Sequence, residues 1–235
     1  MPWISNKMQT HKNLEGKNIL ITSGPTRGYI DAVRYISNTS TGALGAAIAL
    51  ESLKRDAAVT FVYGTGSAVP NTDLLTKKQA VRFTPIEIET IDDLLTVVQQ
   101  TVKDKPFHAI VHAMAVLDYT PETQSSGKIS SNQDKLTVTF LRTPKVIKRI
   151  RTLWPQAFLV SFKLEAGIPD AELIARAYTS LQVNGSDLVV ANNQDKIACG
   201  KHYAYLINPR KEIESRCETK QEISGKLMDL IALKC

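Results

Sequence analysis

The chain is short of cysteine, with three residues among 235, at Cys199, Cys217 and Cys235. The number is odd and the spacings hold no metal-ligand pattern. A disulfide framework and a structural zinc site are therefore not expected, and reduced thiols in a cytoplasm are. No apolar run approaches the ~20 residues that cross a bilayer, so no membrane association is expected. The opening MPWISNKMQTHK lacks the apolar h-region of a secretory signal, and residues 1–16 read as a leader before the first strand. Aromatic residues are few, and the basic residues behind the net charge of +6 are dispersed. That balance suits polyanionic small molecules, whereas no aromatic–basic stripe or motif points to nucleic acid. The four histidines, His11, His108, His112 and His202, form no metal or nucleophile-activating pattern. His112 lies within an apolar strand and reads as a core or backbone-bonding residue. Internal repeats and low-complexity segments are absent as well.

What is present is an alternation of two periodicities. Apolar, β-branched runs at Ile19–Thr22, Val59–Tyr63, His108–Val116, Phe158–Phe162 and Leu188–Ala191 predict strands. Helical patterns lie between them at Gly42–Arg55, Ile91–Asp104 and Ala171–Val183, with a further strand predicted over Val81–Ile88. The chain then reads as a strand Tyr203–Ile207, a turn Asn208-Pro209-Arg210, and an amphipathic helix around Lys220–Leu233. Continuous apolar strands alternating with helices predict a doubly wound, mostly parallel, Rossmann-like α/β sheet in one domain spanning 1–235.

The most informative stretch is Ile19 to Gly45, ILITSGPTRGYIDAVRYISNTSTGALG. A buried strand empties through the turn Ser23-Gly24-Pro25-Thr26 into a polar loop bearing Asp31, Arg34 and Asn38. A helix then begins at Ser40-Thr41-Gly42. Such a helix start presents free backbone N–H groups and a positive dipole at the carboxyl edge of the sheet, where an anion binds most easily.

One excursion, residues 118–142, breaks the alternation. Its first half, Thr120–Asp134, is polar, with Pro121, Gly127 and several serines, as in a mobile loop. Its second half, Lys135–Leu141, alternates as a half-buried strand does. The expected roles are a lid and a sheet edge that pairs with a second subunit.

These segments resemble the signature of phosphopantothenate–cysteine ligases. The likeness begins with SGPTR, IDAVRYISN and S-T-G-x-x-G in order. It continues through Ala115-Val116-Leu117-Asp118-Tyr119, then Lys128-Ile129 ten positions after Asp118. Thr143-Pro144-Lys145-Val146-Ile147, Ser161-Phe162-Lys163-Leu164-Glu165 and Asp187–Asn192 complete it. The chain departs from many bacterial relatives where Ala43 replaces a lysine, where Ser130 and Ser131 replace a basic pair, and where Arg176 stands in the helix after Phe162. Its 235 residues leave no room for the flavin-dependent decarboxylase half often fused to this one, so a stand-alone ligase without flavin is expected, with a separate decarboxylase downstream.

The resemblance implies that a carboxylate of phosphopantothenate attacks the α-phosphorus of CTP or ATP and expels pyrophosphate. The amine of L-cysteine then attacks the acyl-nucleotide. CTP is favoured, because the signature nearest the triphosphate has its bacterial wording. The attacking carboxylate is already ionised, so charge neutralisation and alignment matter more than a general base. On that reading Lys128 serves activation, Asn38 stabilises the acyl oxygen, and Arg34 offers a planar fork to phosphate or carboxylate. Arg34, Asn38 and Ala115 are the expected substrate contacts. Nucleotide contacts are expected from Gly24, Ser40, Gly42, Ala113, Met114, Asp118, Lys128, Pro144, Lys145, Val146, Ile147 and Phe162. Asp118 is expected to hold ribose hydroxyls or Mg²⁺, and Phe162 either packs on the base or fills the core. A homodimer is expected.

Two other functions could use the same fold. A short-chain-type NAD(P)-dependent oxidoreductase would need G-x-G-x-x-G spacing, an acidic residue after the second strand and a Tyr-x-x-x-Lys pair. The turn here is Gly24-Pro25-Thr26-Arg27-Gly28 and Tyr178 is followed by Thr-Ser-Leu-Gln, so all three are missing. A non-catalytic nucleotide-binding protein would have no reason to keep Arg34, Asn38, Asp118 and Lys128 together.

Overall fold

The computed structural model describes residues 14–198 and 200–235. Residues 1–13 of the expected leader, with His11, lie outside the described residues, as does Cys199. Its last part is not a loose leader, because Leu14 is fully buried and its N–H donates to the Arg55 carbonyl.

The chain opens with β1 (Asn18–Ser23), the hairpin strands β2 (Arg27–Tyr29) and β3 (Tyr35–Ser37), then α1 (Ala43–Lys54) and β4 (Ala58–Gly64). The short α2 (Lys77–Ala80), β5 (Phe83–Ile88), α3 (Ile91–Thr96) and β6 (Ala109–His112) follow. The excursion contributes β7 (Tyr119–Pro121) and β8 (Phe140–Arg142) ahead of α4 (Val146–Leu153), β9 (Phe158–Glu165) and α5 (Asp170–Asn184). The last elements are β10 (Leu188–Ala198), β11 (Lys201–Ile207), β12 (Ile213–Cys217) and α6 (Lys220–Lys234).

Eight strands form one sheet in the order β12-β11-β10-β9-β6-β1-β4-β5. The six from β10 to β5 are parallel, whereas β11 and β12 pair antiparallel. From β1 the chain winds outward to β4 and β5, then returns to the other side through β6, β9 and β10. The order therefore reverses between β1 and β6, the crevice in which open α/β sheets bind ligands.

Successive residues of β1 serve opposite faces, as strand geometry requires. Ile19 and Ile21 pack with Ile48 and Leu53 of α1 and Leu227 and Ile231 of α6. Leu20 packs on the other face with Leu94 of α3 and Ile150 of α4, while α5 covers Val189, Ala191 and Ile207. Burying each such side chain contributes about 1.5–3 kcal/mol, which makes the two-faced covering of β1 the anchor of the sheet. The start of α1 presses against β1 so closely that a Cβ at Gly45 would collide with Ser23 Oγ.

Several local expectations are corrected. The polar loop after β1 contains the β2–β3 hairpin. The strand expected over His108–Val116 ends at His112, because beyond it Ala115 turns aside to donate to the Gly24 carbonyl at 2.8 Å and to bridge Pro25. The strand expected over Lys135–Leu141 shrinks to Phe140–Arg142. Among the described residues its ladder partner is the three-residue β7, extended by the Glu122 N–H donating to the Thr139 carbonyl at 2.9 Å, and residues 135–138 lie exposed or half-exposed beyond it. The helix expected over Ile91–Asp104 is α3 followed by a π-helical turn, Val97–Thr101.

Candidate active site

Two clefts meet at the β1–β6 crevice. The larger, about 830 Å³, runs over Met114, Ala115 and Asp118 to Pro144, Lys145, Val146 and Ile147, with Phe162 also on its wall. The smaller, about 550 Å³, is lined by Asn38, Ser40, Gly42 and Ala113. Met114, Ala115, Phe162 and Leu164 line both, and so form the ridge between them.

Each cleft has a helix start at its edge. Helix α1 begins after Gly42, whose φ of 73° is left-handed backbone and which offers no side-chain cap; no acidic residue occupies the first turn. Helix α4 begins after Lys145, again without a side-chain cap. Both starts favour negative charge.

The wall between the clefts is fixed by bonds that the sequence did not disclose. Thr26 Oγ1 accepts from the Leu117 N–H at 3.0 Å, and Thr143 Oγ1 donates to the Leu117 carbonyl at 2.6 Å. Asn38 Nδ2 donates to the Ala115 carbonyl at 2.9 Å. Asp118 stands at the mouth of the larger cleft, its carboxylate 2.6 Å from Lys145 Nζ. Deeper in the same cleft the Lys163 ammonium, with Arg176 behind it, holds the Glu165 carboxyl below the usual range.

His112 lies within its strand, as read, and also lines the larger cleft. It is buried, its Nδ1 lies 2.7 Å from Thr22 Oγ1, and burial lowers its pKa to about 4.

Not every expected residue reaches a cleft. Gly24 lies in the turn behind the ridge, with its carbonyl taken by Ala115. Arg34 and Lys128 line neither cleft. Arg34 is paired with the buried Asp31 at 2.7 Å, and the loop residue next to Lys128, Ile129, is bonded to that same pair.

The smaller cleft also recruits Asn192, Gln194, His202 and Lys220 from β10, β11 and α6. Asn192 Nδ2 and His202 Nδ1 are buried without a hydrogen-bond partner among the described residues. Burial, reinforced by the Lys220 charge, lowers the His202 pKa to about 4. Of these only Asn192, closing the Asp187–Asn192 segment, carried a signal in the sequence.

Among the described residues, no group of three or more His, Cys, Asp or Glu side chains is placed to hold a metal ion, and no helix is long and apolar enough to cross a membrane.

Comparison with known proteins places this geometry. Residues 14–234 match the family described as DNA/pantothenate metabolism flavoprotein C-terminal domain. The chain is 38% identical over 220 residues to the coenzyme A biosynthesis bifunctional protein CoaBC of Thermococcus kodakarensis, covering 94% of this chain and 52% of that protein. It is similar to the crystal structure of the DNA/pantothenate metabolism flavoprotein from Streptococcus pneumoniae, with a TM-score of 0.80 and 29% identity over 92% of this chain and 99% of that one. A Cab2 mutant in complex with phosphopantothenate-cysteine has the same fold, with a TM-score of 0.75 and 19% identity over 94% of this chain and 87% of that one. The chain spans about half the length of the curated relatives it matches.

Proposed function

The chain belongs to the DNA/pantothenate metabolism flavoprotein C-terminal domain family, and from that membership we propose that it is a phosphopantothenate–cysteine ligase of coenzyme A biosynthesis. The observation that carries the proposal is the pair of clefts sharing the Met114–Ala115–Phe162 ridge, with Asn38 bonded to that ridge. A ligase that joins two substrates through an activated intermediate needs two adjoining sites and a polar donor between them.

In the proposed reaction the nucleoside triphosphate lies along the larger cleft. Pro144 to Ile147 face the base or ribose, and the α4 start with Lys145 faces negative charge. The phosphopantothenate carboxylate attacks the α-phosphorus, pyrophosphate leaves, and an acyl-nucleotide forms. The cysteine amine then attacks the acyl carbon, and the nucleoside monophosphate departs. Lys128 neutralises charge on the phosphates in the first step, and Asn38 donates to the acyl oxygen in the second. The unshared N–H groups of Arg34, whose side chain is 38% exposed, are available to a phosphate or carboxylate.

The donor set suits Mg²⁺ that arrives on the triphosphate, because that ion keeps phosphate and water ligands and takes only one or two carboxylates. Asp118 would be its protein ligand, and the ion would add to the neutralisation of phosphate charge. We favour CTP over ATP on the wording of the Ser23–Asn38 segment. We also propose a homodimer, supported by the exposed Tyr119, Leu136, Phe140 and Leu141 on the excursion and Val33 and Tyr35 on the hairpin. A cytoplasmic setting, supported by the free Cys217 and Cys235, completes the proposal.

The test is pyrophosphate release from phosphopantothenate with each nucleotide, before and after cysteine is added. Release that depends on phosphopantothenate, followed by amide formation with cysteine, supports the ligase. Nucleotide binding without release identifies a non-catalytic binder, and hydride exchange with a nicotinamide cofactor identifies an oxidoreductase.

A further inference from the structure

Asp31 is a charged residue with no exposed surface, in a turn between two three-residue strands. Its carboxylate is fully employed. Oδ1 accepts from the Val33 and Arg34 N–H groups, each at 2.8 Å, which closes the hairpin turn. Oδ2 accepts from the Arg34 guanidinium at 2.7 Å and, across the molecule, from the Ile129 N–H at 3.1 Å. The same guanidinium nitrogen reaches the Ile129 carbonyl at 3.3 Å. The Asp31–Arg34 pair therefore grips both backbone groups of one lid residue, the one next to Lys128. A second strap lies four residues earlier, where Ser125 N donates to the Ile30 carbonyl at 3.1 Å.

The rest of the lid has little to hold it. Residues 122–137 are exposed except for Ile129, which is half-buried. Apolar burial cannot fix such a loop, so its position is set by directional bonds. A buried carboxylate is costly unless every acceptor site is satisfied. Releasing the lid would strip one of four donors from Asp31, so the burial of Asp31 itself favours the latched loop.

We propose that Asp31 is a positioning residue for the reaction: through Arg34 and the backbone of Ile129 it latches the lid and sets where Lys128 is presented. The inference rests on the ligase reading only for the role of Lys128; the latch stands on the geometry. It also gives the hairpin a purpose. A loop of ordinary flexibility after β1 could not hold a carboxylate rigid against a segment so far along the chain.

Asp31→Asn separates the two jobs of the side chain. The remaining Oδ1 still closes the turn on Val33 and Arg34, but an NH₂ group replaces Oδ2 and faces two donors. Ile129→Pro removes the lid-side N–H, also stiffening the backbone at 128–129, and leaves the hairpin intact. In both variants we expect the amides of residues 125–131 to exchange faster while the thermal melt stays near that of the wild type. We expect kcat for pyrophosphate release to fall about 10- to 100-fold, the effect of losing one hydrogen bond to a charged group. Asp31→Asn added to Lys128→Gln should cost nothing further, since the first acts through the second. Unchanged lid exchange in both variants overturns the latch. Additive losses in the double variant overturn the positioning role. Should the wild-type enzyme release no pyrophosphate, the ligase reading fails, and the exchange measurement still decides the latch.

Discussion

Asn38 and Ala115 are 77 positions apart, yet the Asn38 carboxamide donates to the Ala115 carbonyl at 2.9 Å. The bond ties the end of the β2–β3 hairpin to the ridge between the two clefts and fixes one amide N–H of Asn38 while leaving the other free to donate. Asn38→Asp would bring a carboxylate against that carbonyl and remove the donor. We expect it to release pyrophosphate but to form amide ~10²–10³-fold more slowly, so that acyl-nucleotide accumulates. Quenched-flow analysis of the intermediate checks this, and normal amide formation would remove Asn38 from the second step.

Lys128 sits on an exposed loop, so its replacement costs little in folding. Lys128→Gln should cut pyrophosphate release to a small residual rate while stability changes by less than about 0.5 kcal/mol. Calorimetry alongside the release assay decides; retained release would assign phosphate neutralisation to another cation.

The lid offers a reading without any variant. Amides of Thr120–Asp134 should gain protection from hydrogen exchange when the triphosphate binds, because the loop buries almost no apolar area of its own. Equal protection with and without nucleotide counts against closure.

Two buried histidines set an acid limit on the fold. The pKa values of His112 and His202 are lowered to about 4, so between the ordinary histidine value and that point the unfolded chain binds more protons than the folded one. Stability therefore falls as pH drops through that window and is fully present above it. For His112 alone the loss approaches about 3 kcal/mol. Denaturant titrations from pH 7 to 4 measure it, and His112→Leu should flatten the slope; an unchanged slope would mean that His112 does not stay neutral in the folded state.

Gly45 is a test of how tightly α1 docks on β1. A Cβ there meets Ser23, so Gly45→Ala should destabilise by about 1–3 kcal/mol despite the better helix propensity of alanine. Coupling it to Ser23→Gly should recover most of that loss.

Much of this was legible in the chain, and the exceptions have physical reasons. The sheet's parallel strands announced themselves because a strand buried on both faces must be apolar throughout, as Ile19–Ile21 and Val189–Ala191 are. The hairpin did not, since Arg27–Tyr29 and Tyr35–Ser37 are too short to display a period. Lys135–Leu141 displayed a period and still failed to form a strand over most of its length, because alternation describes a face and not a partner. Asp31 looked like any loop carboxylate; its burial depends on Ile129, which no local pattern connects to it. The walls from Gln194 and His202 arrive through the antiparallel pairing of β10 and β11, and that from Lys220 at the start of α6, beyond the reach of the local motif that marked the other side of the cleft.

Cytosine and adenine differ at their hydrogen-bonding edges, which backbone groups can read as well as side chains. Matched turnover with CTP and ATP at equal Mg²⁺ should favour CTP, and an ATP preference would show that the segment around Lys128 and Phe162 governs recognition.

An acyl-nucleotide pathway passes a carboxylate oxygen to the α-phosphorus. Phosphopantothenate labelled with ¹⁸O in its carboxylate tests this in a single turnover with cysteine. We expect one labelled oxygen in the nucleoside monophosphate and none in pyrophosphate. Label in orthophosphate or pyrophosphate, or no transfer while amide forms, would contradict an acyl-nucleotide pathway at this site.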